Sequence, residues 1–361
     1  MFETFTYKYL HFRPPPSNHP LPPLPKGITR HFVQTPSGKI EVLYAAPSSS
    51  KPSPENANAS PIFFVHGGMG GAWVWQEYLT FLASHYGIPC YAVSMRGHGS
   101  SWHPSYLRMV FATTKYMLAT DVVNAIKWVE EREGGREVVY VGHSSGGGLG
   151  QYILSEKMVR VKGLVLAGAV PGFGSLPVYI NWWRLDPFFT LRMIFHFYHP
   201  NSPLSHPALT RRVFFSESYP ESSLLKFQSQ TNRYESFLWP FGMMRSFANP
   251  FALLSQLTTP TTGQKVLVLA GEQDKIMTPT VMQDLAGMYR NAYATMVKQK
   301  KVDDSLESEE EEVRSIKGEG DKDTAGQGVR LAFVPGAGHH LQNDVTWEIG
   351  ARKLAEFYRQ L

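Results

Sequence analysis

The run Glu137 to Leu154, EVVYVGHSSGGGLGQYIL, decides how the rest of the chain is read. Val138 to Val141 is a short apolar β run, Gly142-His143-Ser144-Ser145-Gly146 turns sharply, and Leu149, Tyr152 and Ile153 follow at helical spacing. Ser144 therefore stands at a strand-to-helix corner with the G-x-S-x-G pattern of a nucleophile elbow, in which a strained backbone lifts the hydroxyl above a sheet. Gly142 and Gly146 frame the corner because a β-carbon two positions to either side would collide with neighbouring backbone. Gly147, Gly148 and Gly150 leave the first helical turns nearly bare. Glycine costs a helix about 1 kcal/mol per residue relative to alanine, so close approach of the strands, and not helix propensity, explains them.

Outward from this corner, strands and helices alternate. Ile28 to Thr35 and Lys39 to Ala45 form a hairpin through Pro36-Ser37-Gly38. Ile62 to Val65 is wholly apolar, as a strand buried in a parallel sheet should be, and runs into His66-Gly67-Gly68-Met69-Gly70-Gly71, with a helix predicted over 72–86. That glycine-rich turn lacks the Lys-Ser/Thr of a P-loop and the spacing of a dinucleotide fingerprint. Its better use is to turn the backbone N–H of Gly68 towards a developing oxyanion. Pro89 to Val93, Gly163 to Ala169, Lys265 to Ala270 and Val329 to Val334 are further strands, and helices are predicted over 114–132, 279–297 and 347–361. The alternation predicts an α/β fold with a mainly parallel central sheet flanked by helices.

Three segments break the rhythm. Residues 1–27 are a proline-rich arm, with seven prolines between Pro14 and Pro25, predicted to run as polyproline II over the surface. From Pro171 to about 258 no strand pattern appears, and Trp182 to His199 holds seven aromatic residues in eighteen. This segment is expected to be a helical cap inserted after the strand ending near Ala169, splitting the core into 28–170 and 259–361. Lys298 to Gly328 carries 10 acidic and 6 basic residues, a composition that predicts a disordered excursion.

Composition excludes several classes. The net charge of +5 becomes +9 outside that excursion, but it is scattered and not interleaved with aromatics, so nucleic acid is not an expected partner. A basic surface suits an anionic membrane better, and peripheral contact through the aromatic cap is one expectation. The single cysteine, Cys90, forbids an internal disulfide, no signal segment or spanning helix is apparent, and a cytoplasmic location is expected. No H-E-x-x-H or C-x-x-C pattern suggests a metal, and no cofactor is expected.

Ser144, Asp274 and His339 each lie in a turn at the carboxyl end of a strand, where open α/β sheets bind their ligands. A serine hydroxyl needs an imidazole to take its proton, and the imidazole needs a carboxylate to hold its tautomer. His340 is the alternative base, and Glu272 or Asp344 the alternative acid; Asp344 would instead order the loop after the histidine. His66, His98 and His143 read as structural, bonding backbone beneath the site.

HGGMGGAW (66–73), SMRGHG (94–99), GHSSGG (142–147), GEQDKIMTP (271–279) and PGAGHH (335–340) stand in the order found in α/β-hydrolase-fold serine hydrolases, which the chain resembles from about residue 28 to its end. HGGMGGAWVW is similar to the small-ester and methylester hydrolase branch that includes hydroxynitrile lyases, and the cap is similar to accessory hydrolases of fungal polyketide pathways. The resemblance implies catalytic Ser144, Asp274 and His339, and an oxyanion hole from the N–H groups of Gly68 and Ser145. The gap from Asp274 to His339 becomes ordinary once the charged excursion is removed. Ser94 stands where many relatives carry a non-catalytic aspartate. The implied activity is hydrolysis, through an acyl-enzyme, of an ester, lactone or thioester with a bulky apolar acyl part. The same triad could also serve cyanohydrin or C–C cleavage or acyl transfer, and the same fold could act as a non-catalytic ligand-binding or pathway scaffold.

Overall fold

Short apolar runs become the interior strands of one twisted sheet. The computed structural model describes residues 2–16, 20–48, 59–259, 264–299, 312–316 and 322–361. Its strands are β1 (Ile28–Thr35), β2 (Gly38–Ala45), β3 (Ile62–Val65), β4 (Cys90–Ser94), β5 (Val139–His143), β6 (Gly163–Ala167), β7 (Val266–Gly271), β8 (Arg314–Ser315), β9 (Thr324–Gly326) and β10 (Val329–Val334). They lie in the order β1-β2-β4-β3-β5-β6-β7-β10-β9-β8. From β4 across to β10 every pairing is parallel, and β3 to β7 and β10 are buried along their whole length. That burial on both faces explains why these strands lack a polar/apolar alternation. The hairpin β1-β2 closes one edge antiparallel to β4.

Helices α1 (Gln76–Tyr86), α2 (Tyr106–Ala112), α3 (Lys115–Arg132) and α4 (Ser145–Ser155) precede the cap segment. The segment expected as a cap, 171–258 (the cap segment), holds α5 (Leu176–Leu185), α6 (Phe189–Phe195), α7 (Pro207–Phe214), α8 (Glu221–Gln230), α9 (Leu238–Phe241) and α10 (Pro250–Leu254). The chain then returns to the sheet and ends with α11 (Pro279–Lys298) and α12 (Trp347–Tyr358). The helices pack in two groups, α1 with α12, and α3 with α4, α10 and α11. The sheet lies between them, and one continuous apolar core results.

Two expectations change. Most of the charged excursion lies outside the described residues, but its ends are ordered: β9 pairs antiparallel with β10, and β8 with β9. Asp323, buried, accepts from the Phe333 N–H at 2.9 Å and pairs with Lys353 at 2.5 Å. Average composition hid this anchor, because one satisfied ion pair outweighs the charge density of its neighbours. The arm is also more than a surface lead-in. The hydroxyl of Tyr7 donates to the Phe195 carbonyl, the Ser205 hydroxyl donates to the Thr4 carbonyl, and the His199 ring bonds the His11 carbonyl. Phe5 and Phe12 set their rings edge-on to Phe195 and His199. Residues before the prolines are thus clasped to the cap segment.

Candidate active site

Ser144 adopts φ +52° and ψ −124° between β5 and α4. This is a region that L-residues occupy at a cost of about 1–3 kcal/mol and keep only when the surroundings enforce it. Enforcement comes from four backbone bonds: its N–H donates to Ala167, and its carbonyl accepts from Gly147, Gly148 and Val170 at 3.0–3.1 Å. The glycine frame is required sterically. A β-carbon on Gly146 would lie 2.3 Å from the His66 carbonyl oxygen, and one on Gly142 would lie 2.6 Å from the α-carbon of Gly147.

The turn after β10 brings His339 to this corner, and the turn after β7 brings Asp274. His339 Nε2 stands 3.0 Å from Ser144 Oγ, and Nδ1 stands 2.7 Å from Asp274 Oδ2. Asp274 Oδ1 accepts the N–H groups of Ile276 and Met277, each at 2.9 Å. One carboxylate oxygen is thereby held by backbone while the other faces the imidazole. With Asp274 ionised, the network assigns the proton to Nδ1 and leaves Nε2 to accept from the serine hydroxyl.

The alternative groups stand elsewhere. Glu272 is turned to the surface, where its bond to Lys322 holds its carboxyl below the usual range. Asp344 accepts from Gly338 N–H at 2.8 Å, Ser216 N–H at 2.8 Å and Ser216 Oγ at 2.6 Å, so it ties the histidine turn to the cap segment. His340 bonds Asn343, and burial holds its pKa down at about 3.

His66 and His143 bond the carbonyls of Gly67 and His339, and burial lowers both well below the ordinary histidine range. His98 behaves differently. Burial alone would lower its pKa, but the facing Glu235 carboxylate, 2.8 Å from Nε2, outweighs that and raises it. Sequence reasoning missed Glu235. It is one of four acids in 171–258, and no spacing marks it as the one that turns inward.

Gly68 and Ser145 face each other across the serine: a β-carbon on Gly68 would sit 4.0 Å from Ser145 Oγ. Ser145 opens α4, so its N–H belongs to the first turn that has no partner within the helix. Neither this N–H nor that of Gly68 meets an acceptor among the described residues. Both residues line a cavity of about 110 Å³ over Ser144, and two free donors converging there could hold a negative oxygen. Its other walls include Val178, Tyr179, Trp182, Phe214, Trp239 and Met243 from the cap segment. The expectation of a space for a bulky acyl group needs correcting, since drug-sized ligands occupy roughly 300–1,000 Å³. The aromatic walls pack on one another and narrow the space: Trp182 meets Phe214 edge-on, and Phe214 packs on His339 at 5.6 Å between centroids. On the outer side of α5, Leu176, Ile180 and Trp183 are exposed.

The model of the α/β hydrolase fold family matches residues 60–305. Among solved structures, a thermophilic esterase from Thermogutta terrifontis superposes with a TM-score of 0.58 at 16% identity, over 92% of this chain and 98% of its own. A 2-hydroxy-6-oxo-6-phenylhexa-2,4-dienoate hydrolase from Rhodococcus sp. strain RHA1 gives 0.57 at 18%, over 92% and 99%. A carboxylesterase from Bacillus subtilis gives 0.55 at 17%, over 92% of each. At such identities the likeness concerns the fold. Among the described residues no helix is long and apolar enough to cross a membrane, and no cluster of side chains is suited to a metal ion.

Proposed function

Because this chain belongs to the α/β-hydrolase fold family, we propose that it is a serine hydrolase acting on an ester, lactone or thioester whose acyl group is apolar and compact. The observation that carries this reading is the unbroken hydrogen-bonded run Ser144–His339–Asp274, ending at a serine in a strained conformation. His339 takes the Ser144 proton as the hydroxyl attacks the carbonyl, and Asp274 stabilises the resulting imidazolium. The N–H groups of Gly68 and Ser145 bind the oxyanion, and His339 returns the proton to the leaving group. Water then repeats the sequence on the acyl-enzyme. A mainly apolar cavity of about 110 Å³ favours a short acyl chain, with the leaving group directed out of it.

The test is turnover of p-nitrophenyl esters of increasing acyl length, together with labelling by a fluorophosphonate. Ser144→Ala should abolish labelling and lower kcat by at least about 10⁴-fold with the melting temperature retained; Asp274→Asn should cost about 10⁴-fold. Undiminished turnover by Ser144→Ala would refute the mechanism, and a preference for long acyl chains would refute the size assignment.

A further inference from the structure

The turn that carries Gly68 is held from the cap segment, and it is held by two bonds to one residue. Met69 has φ +62°, a left-handed conformation that a side chain of its size seldom adopts. Its carbonyl accepts from the N–H of Asn232 at 2.9 Å, and its N–H donates to Oε2 of Glu235 at 2.8 Å. Oε2 also accepts from His98 Nε2 at 2.8 Å, and Oε1 accepts from the N–H of Ser236 at 2.8 Å. Ser236 is anchored in turn by its hydroxyl to the Thr113 carbonyl. The Glu235 side chain is only 7% exposed, and it lines the cavity beside Ser144. A β-carbon on Gly68 would lie 3.8 Å from Oε2, so the carboxylate adjoins the place where the oxyanion would form.

An isolated carboxylate beside a forming oxyanion would oppose the reaction. His98 offsets this charge: Glu235 faces its Nε2, the Arg96 carbonyl accepts from its Nδ1 at 2.9 Å, the His66 ring packs on it at 4.6 Å, and Asp121 adds a second attraction. With imidazolium and carboxylate paired, Glu235 can accept the Met69 N–H without placing net charge in the cavity. Loss of that acceptor would leave a buried N–H without a partner next to Gly68, and the strained turn would relax.

Resting on the hydrolase reading above, the geometry assigns Glu235 the role of a positioning residue that acts through Met69 to aim the Gly68 N–H at the reacting oxygen. The two bonds to Met69 come from a segment that also covers the serine, so the oxyanion turn and the cap are set together. This role makes no contact with substrate necessary. It predicts an effect on the chemical step more than on substrate affinity.

The experiment compares wild type, Glu235→Ala, Glu235→Met and Glu235→Gln with a short p-nitrophenyl ester. Removing one oxyanion donor outright costs about 10²–10³ in kcat, and disordering one should cost about 10- to 10²-fold. Glu235→Ala is expected to show that loss in kcat with KM within about threefold, and fluorophosphonate labelling should slow in parallel. Glu235→Gln keeps, at the Oε2 position, an oxygen that can accept both the Met69 N–H and the His98 Nε2 proton, while its amide nitrogen replaces the acceptor of the Ser236 N–H; it should recover part of the activity lost in the alanine variant. Glu235→Met keeps the volume without supplying an acceptor, and replaces the alanine variant if that one does not fold. Wild-type kcat in a folded Ala or Met variant would overturn the assignment, as would a folded Gln variant as impaired as they are. A wild-type protein that neither labels nor turns over would instead overturn the hydrolase reading on which the assignment rests.

Discussion

Ser144 and its glycines show how tightly one residue can be specified by its neighbours. Replacing Gly146 by alanine drives a β-carbon to 2.3 Å from the His66 carbonyl oxygen, backbone that cannot swing aside. We expect Gly146→Ala to destabilise by about 3 kcal/mol or more, at the upper end of overpacking effects. A β-carbon added to Gly287, within α11, would meet nothing within 4 Å, so Gly287→Ala should stabilise by about 0.5–1 kcal/mol. Urea unfolding of both variants checks the contrast, and equal effects would contradict it. The corner was legible in the sequence because the constraint is local: glycines two positions to either side of a serine have few other uses. Asp274 was separable from Glu272 only by its place in the turn. Glu235 was not legible at all, because its meaning depends on where the cap segment folds back.

Strands were the most readable elements, since a wholly apolar run of four to six residues suits little besides a buried parallel strand. Their observed ends differ from expectation by one or two residues, as at Cys90–Ser94 and Gly163–Ala167. Helix α2 was missed because it is a seven-residue piece whose Leu107 and Phe111 face outward, so no apolar stripe announces it. Strands β8 and β9 were hidden inside a charged stretch and depend on Asp323 meeting Lys353 from α12. Removing one member of such a buried pair strands the other charge. Asp323→Asn should cost about 3 kcal/mol, while Asp323→Asn with Lys353→Met should recover a good part of it. Thermal unfolding of the single and double variants gives the comparison, and additive losses would argue against coupling.

For the molecule as a whole, buried neutral histidines set the response to acid. Burial lowers His66 and His143 well below 6.5, His103 and His199 to about 4, and His340 to about 3. In the unfolded chain these groups take up protons below about pH 6.5, but the folded state admits them only at lower pH, near 4 for His103 and His199 and near 3 for His340. Their contribution is therefore intact above pH 6.5 and drains as pH falls towards those folded values. His98 has the opposite sign: its raised pKa stabilises most below 6.5, and that part is lost as pH rises through the folded value. The melting temperature should fall between about pH 6 and 4, where the lowered histidines, His11, His31 and His196 included, outnumber the one that is raised; a flat profile there would refute this account. A second global feature is the clasp of residues 2–13 on α6 and the residues after it. Deleting them should speed amide exchange in 189–205 while leaving β3 to β7 protected.

The contact of Asp344 with Ser216 on one side and Gly338 on the other has a consequence for timing. The segment that walls the cavity over the serine also props the histidine loop, so any displacement of it would reach both. A gaping molecule would then be disarmed, and its nucleophile would regain its basic partner only on shutting. Such an arrangement would spare passing bystanders and reserve reaction for whatever is small enough to be enclosed.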